Sequence, residues 1–363
     1  MAKKIFVAAT GQNCGKTTIS ISLMHQARKK YNKVGFIKPF GPKVLLYNDF
    51  MVDMDALLMA KAFDMEEDIA IMSPVALHRD FTKDYLAGKL DDLSLSDCIL
   101  EAVQELEEKY DFLIIEGAGH GGVGAVVGLN NARVAKLIGA PVMIVTESGI
   151  GRVIDAVHLN LALYEREGAD VRGIIVNKLI PGKKDLTRKY LKQAFDPLNI
   201  AVIDGFNYSP ILANPTLSHI SKLFDLPLQG NLSEKSRIIH NIQLGAASSQ
   251  RVIDGLADST LMIVTSSRDE LIVTLSSLYH IPAFKEKIAG LVIAGHGPVS
   301  EISQQILHDS DIPYIRVEET TSEAFSALSD DVAKITYEDH EKLNWIMANG
   351  ENDLDFEAID ALL

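Results

Sequence analysis

The chain opens on a short apolar run, Lys3-Lys4-Ile5-Phe6-Val7-Ala8-Ala9, of strand length. A polar stretch from Thr10 to Thr18 follows. Ile19, Leu23 and Ala27 then fall at helical spacing, which predicts a helix over 19–30. A second strand is predicted over 34–40, and a helix over 53–63 from the spacing of Met54, Leu57 and Leu58. Residues 73–88 read as loop with a short helix. Ser96 is placed to cap a helix reaching residue 110, with Ile99, Val103 and Leu106 on one face. Residues 112–115 and 142–145 are uninterrupted apolar runs, the pattern of strands buried on both faces. A helix over 154–167, a strand over 173–176, a helix near 184–194 and a strand over 201–203 continue the series. Strands alternating with helices in this way predict an α/β fold with a doubly wound, mostly parallel sheet.

The pattern shifts after about residue 226. Apolar runs at 261–264, 291–294 and 315–317 predict a second, smaller α/β domain. The expected division is 1–225, 226–345 and an acidic tail, 346–363. In the tail, Phe356, Ile359 and Leu363 are spaced for one short docking helix. A chain of 363 residues also calls for two domains on length. Its net charge of −14 argues against nucleic acid or an anionic membrane as partner. No apolar stretch is long enough for a membrane span. The two cysteines, Cys14 and Cys98, form no metal motif and suit a reducing, cytoplasmic compartment.

Candidate chemistry gathers at strand ends, where open α/β sheets bind ligands. Gly11, Asn13, Cys14, Gly15, Lys16, Thr17 and Thr18 lie between the first strand and its helix. A glycine loop ending in Gly-Lys-Thr in that context is a phosphate-binding P-loop pattern: backbone N–H groups and the helix N-terminus face the phosphates, Lys reaches them, and the Thr hydroxyl ligates Mg²⁺. The match is partial, since Thr10 stands where the pattern has its first glycine. Lys38 ends the second strand, placed to meet a transferring phosphoryl group or simply exposed ahead of Pro39. Of Asp49, Asp53 and Asp55, one could ligate Mg²⁺ while the others cap or face solvent. Glu116 follows an apolar strand, where a second Mg²⁺ ligand or a plain surface carboxylate would fit. Asn177-Lys178 begins a guanine-reading N-K-x-D pattern, but Ile180 replaces its Asp, so Asn177 could equally hydrogen-bond adenine. No histidines have metal-ligand spacing.

These pieces resemble the dethiobiotin synthetase-like branch of P-loop proteins: Gly15-Lys16-Thr17, Ile37-Lys38-Pro39, Asp55-Ala56-Leu57, Glu116-Gly117-Ala118-Gly119 and the strand ending at Asn177. Glu116 to Gly124, Gly149-Ile150-Gly151-Arg152 with Asp155, and Leu212 to Thr216 are similar to the N-terminal part of long bacterial phosphotransacetylases. Ser266-Ser267-Arg268-Asp269 and Gly290 to Gly295 resemble the two signatures of the DRTGG domain those proteins carry next. The resemblance implies ATP and Mg²⁺ as cofactors. It implies Lys16 on phosphates, Thr17, Asp55 and Glu116 on Mg²⁺, Lys38 at a substrate carbamate, and Asn177 at adenine. It also implies a homodimer. Phe40-Gly41-Pro42 departs from the hydroxyl-bearing loop that dethiobiotin synthetases use near their diamine. Two functions stay open: an ATP-dependent ligase or slow ATPase acting on an unknown small molecule, or a nucleotide-sensing module answering to an unknown effector.

Overall fold

The computed structural model describes residues 2–78, 80–89, 95–331 and 333–363. The chain forms two compact units, one of residues 1–209 with 341–363, the other of residues 210–340. These breaks differ from the 225/226 and 345/346 that the sequence pattern predicts. The acidic tail is therefore part of the first unit.

The first unit is built on six parallel strands. Their spatial order is Ala201–Asp204, Val171–Val176, Val142–Thr146, Lys3–Ala9, Phe112–Glu116 and Val34–Ile37. The doubly wound parallel architecture expected from the alternating pattern is what forms. Lys3–Ala9 pairs with Phe112–Glu116, Val7 opposite Glu116, so the phosphate loop and the Glu116 end leave the sheet side by side. Side chains on both faces of these central strands are buried, among them Phe6, Ala8, Ile114, Ile115, Ile144 and Val145, which is why their sequences are continuously apolar.

Some elements differ from expectation. The first helix spans Lys16–Lys30, beginning inside the polar stretch because Gly15 takes a left-handed conformation and turns the chain directly into it. The second strand stops at Ile37, leaving Lys38 just beyond the sheet. A hairpin, Val44–Tyr47 paired with Phe50–Asp53, turns on Asn48 and Asp49, both at positive φ. Of the alternatives open to Asp53 it takes the capping one, accepting from the Asp55 N–H at the start of the helix Met54–Ala62. The short helix expected within 73–88 forms at Phe81–Leu86, and residue 79 of that stretch is outside the described residues. Ser96 falls inside the helix Leu95–Lys109 rather than at its cap.

The tail adds two helices, His340–Asp353 and Phe356–Asp360. The second docks as expected, with Phe356 and Ile359 buried. The Phe112 ring lies 6.0 Å from Phe356 and 4.9 Å from Tyr31, and Tyr31 donates to Asp360. Phe112 begins its strand, so the second tail helix packs at the amino ends of the sheet, opposite the site.

The second unit has four parallel strands in chain order, Asn241–Leu244, Thr260–Thr265, Ile288–Ala294 and Tyr314–Arg316. Met262, Val264, Leu291 and Ile293 face one core with the helices Asp269–Tyr279 and Glu301–Ser310. Leu261, Ile263, Val292 and Ala294 face the other with Leu217–Phe224 and Thr321–Asp330. The first of these strands was not foreseen: at the sheet edge it is only half-buried and shows no apolar run.

Candidate functional site

Four of the predicted positions converge at the carboxyl ends of the central strands. Thr17 lies in the first turn of its helix, and its hydroxyl is 3.1 Å from Glu116 Oε1 and 3.5 Å from Asp55 Oδ1. Lys38 Nζ lies 2.7 Å from Asp55 Oδ2, 2.9 Å from Glu116 Oε1 and 3.3 Å from the Gly117 carbonyl. Neither Lys38 nor Glu116 is the exposed residue that a strand end allows; they are 3% and 1% accessible. Asp55 sits in the first turn of its helix, and Asp53 holds that turn by its cap while its own N–H donates to Ser73 Oγ at 2.9 Å.

Electrostatics follow from this burial. Desolvation works against the Lys38 charge, but Asp55, Glu116 and Asp53 more than offset it and hold its pKa well above the ordinary lysine value. Lys16 has no such close ion pairs. It donates to the Gly119 carbonyl at 2.5 Å. Burial first, and the Lys38 charge second, lower its pKa to about 8. Glu116 Oε2 is buried without a hydrogen-bond partner among the described residues. A buried carboxylate oxygen left unpaired is costly, and a cation would satisfy it.

Glycine is required at two points of the frame. A Cβ on Gly15, at φ +94°, would come within 2.1 Å of Asn177 Nδ2. A Cβ on Gly117 would meet Asn131 Oδ1 at 2.8 Å. Asn177 is buried under the phosphate loop, donating to the Cys14 carbonyl at 3.0 Å and accepting from the Phe206 N–H at 3.0 Å. One amide proton of Asn177 is left for another acceptor. Cys14 is buried in the same loop, and Thr18 is buried just inside the helix; Gly11 and Asn13 are more open, Asn13 at φ 59°.

Sequence reading passed over Asn131. It accepts from the Ala118 N–H and donates to the Ala118 and His120 carbonyls, each at 2.6–3.0 Å, so one side chain clasps the glycine loop after Glu116. Ser73, Thr146 and Asn160 were also passed over. Thr146 accepts from the Thr10 hydroxyl at 3.2 Å, and Asn160 reaches the Thr10 carbonyl at 3.5 Å. These contacts steady the loop start, where the pattern's first glycine is missing.

Among the described residues no group of three or more His, Cys, Asp or Glu is placed to hold a metal. Two carboxylates and a hydroxyl are nonetheless what a Mg²⁺ bound mainly through water and phosphates asks of a protein, and the unpaired Glu116 oxygen fits such a cation. No helix among the described residues is long and apolar enough to cross a membrane.

The family AAA_26, described as an AAA domain, matches residues 3–238. The chain belongs to this family. The match takes in the first unit from residue 3 and runs on past residue 209. An ATP-dependent dethiobiotin synthetase of Clostridium kluyveri is 29% identical over 254 residues, covering 67% of this chain and 97% of that enzyme. A phosphate acetyltransferase of Nitratidesulfovibrio vulgaris is 22% identical over 364 residues, 98% of this chain. The chain spans about half, 51%, of that relative. Among solved structures, the septum site-determining protein MinD with Mg-ADP from Pyrococcus horikoshii aligns at 16% identity and a TM-score of 0.35, over 58% of this chain and 84% of that one. By its family and its relatives, the chain is a P-loop NTPase-type protein related to dethiobiotin synthetase and to phosphotransacetylase.

Proposed function

We propose that the protein binds ATP with Mg²⁺ at the carboxyl ends of its first sheet and phosphorylates a carboxylate or carbamate. The observation that carries this is the convergence of Thr17, Asp55, Glu116 and Lys38 beside a Gly15-Lys16-Thr17 loop. Lys16 holds phosphates, with backbone of the loop from Gly11 to Thr18 around them. Thr17, Asp55 and Glu116 would hold Mg²⁺, which when bound neutralises charge on the phosphate oxygens. Asn177 supports the loop, and its remaining amide proton is free for an adenine nitrogen. In the reaction a carboxylate oxygen attacks the γ-phosphorus, the bond from that phosphorus to the bridging oxygen breaks, and ADP leaves. Lys38 meets the negative charge of acceptor and transferring group.

A second reading has the support of a relative that aligns along nearly the whole chain and is about twice as long. On that reading the chain is a nucleotide-responsive regulatory module, and its second unit is a DRTGG-like domain with Ser266 to Asp269 and Gly290 to Gly295 as its signatures. On either reading the protein is taken to be a cytoplasmic homodimer, and light scattering tests the dimer. Single-turnover ATP hydrolysis of wild type and Lys38→Ala, with ATP affinity measured for both, separates the two. An enzyme should lose roughly 10²–10³-fold in rate with little change in affinity. Equal rates would remove Lys38 from the chemistry and leave the regulatory reading in front.

A further inference from the structure

Lys38 spends its three ammonium protons on Asp55, Glu116 and the Gly117 carbonyl. Those two carboxylates are also the proposed ligands of the divalent ion, and any role for Lys38 against that ion rests on the proposed function. A lysine ammonium and a metal cannot hold the same oxygens at such distances, because buried like charges a few ångströms apart repel strongly. Two buried carboxylates without any cation would also be costly. A metal-free site therefore needs an internal positive charge in contact with both carboxylates, and Lys38 is the ammonium bonded to them, Lys16 donating to the Gly119 carbonyl. Glu116 Oε1 carries both Lys38 and Thr17, while its buried Oε2 has no partner among the described residues.

We infer that Lys38 is a stand-in cation for the metal: it occupies Asp55 and Glu116 in the metal-free protein and is displaced when a divalent ion arrives with nucleotide. Displacement frees the ammonium for the acceptor only once the nucleotide site is loaded. Binding is then ordered, nucleotide and metal before acceptor, and the metal alone binds weakly because it must expel a well-paired lysine.

The test is Mn²⁺ binding to the full chain, read from the paramagnetic resonance of free Mn²⁺, for wild type, Lys38→Met and Lys38→Gln, with and without ADP. Both variants should bind Mn²⁺ without nucleotide at least about tenfold more tightly than wild type, a difference of about 1.4 kcal/mol. Wild type should need ADP. Equal nucleotide-free affinities, with wild type still binding Mn²⁺ and ADP together, would overturn the inference and leave the metal site standing. Failure of wild type to bind Mn²⁺ even with ADP would bring down both. Should the variants not fold, wild type decides through acylation of lysines followed by mass spectrometry. Lys38 labelling should rise several-fold when Mn²⁺ is added to the ADP-bound protein, and unchanged protection would overturn the inference.

Discussion

Nucleotide affinity should fall as pH rises from 7 to 9, and Lys16 is the reason. Burial and the neighbouring Lys38 charge lower its pKa to about 8 in the free protein. Phosphates beside it favour the charged form, so the complex keeps a proton that the free protein loses above pH 8. At pH 7 nearly every Lys16 is already charged. At pH 9 only about a tenth is, and binding must recover the proton, so affinity should drop roughly tenfold, or about 1.4 kcal/mol. Calorimetry in buffers of different ionisation heat should show uptake of about half a proton per ATP at pH 8. Lys16→Arg, which stays charged, should abolish the dependence. Flat affinity in wild type from pH 7 to 9, or the same fall in the Arg variant, would refute the argument. The same shift has a stability sign: below pH 8 the free protein bears a cost of roughly 3 kcal/mol for a buried charge. That cost diminishes as pH rises from 8 toward the ordinary lysine value.

Further outcomes follow from single contacts. Gly15→Ala should destabilise the protein by about 1–3 kcal/mol in urea titrations and abolish ATP binding, because its Cβ runs into Asn177 in a left-handed conformation. Asn131→Ala removes two buried hydrogen bonds and one part-buried one from the loop after Glu116. It should cost about 2–4 kcal/mol, seen as a lowered urea midpoint. ATP should stabilise the protein in thermal shift at least as well as GTP, since Ile180 replaces the acidic residue a guanine reader needs; a clear preference for GTP would reject this.

The parts of the site that chain neighbours define were legible. Gly15-Lys16-Thr17 needs only its flanking strand and helix to be recognised, and Glu116 needs only the apolar run before it. Lys38 was visible as a strand end, but its burial was not, because that depends on Asp55 and Glu116 arriving from other elements. Asn131 was invisible for the same reason: an asparagine opening a helix reads as a capping residue until its side chain is seen clasping Ala118 and His120. The edge strand Asn241–Leu244 lacks the both-face burial that marks the other strands. The helix His340–Asp353 contains Asn349 and Gly350, poor helix formers, and Gly350 is there because a Cβ would come within 2.4 Å of Ser22 Oγ.

The placement of residues 341–363 in the first unit has a consequence for how the protein is made. The second unit is a guest, entered after Ser209 and left before Glu341. Entry and exit are fastened together within the host, with the Phe206 and Trp345 rings 5.9 Å apart and Asn207 donating to Asp353 at 3.2 Å. On the ribosome the host sheet can be complete in sequence by Asp204 while the floor beneath Phe112 is still unsynthesised. The guest must pass first. If it folds on the way, it turns a long flexible loop into a short rigid one and lowers the entropy that closing the host would cost. A guest mutation that slows its own folding would then appear as a defect in the host, with Phe112 left uncovered and prone to aggregation.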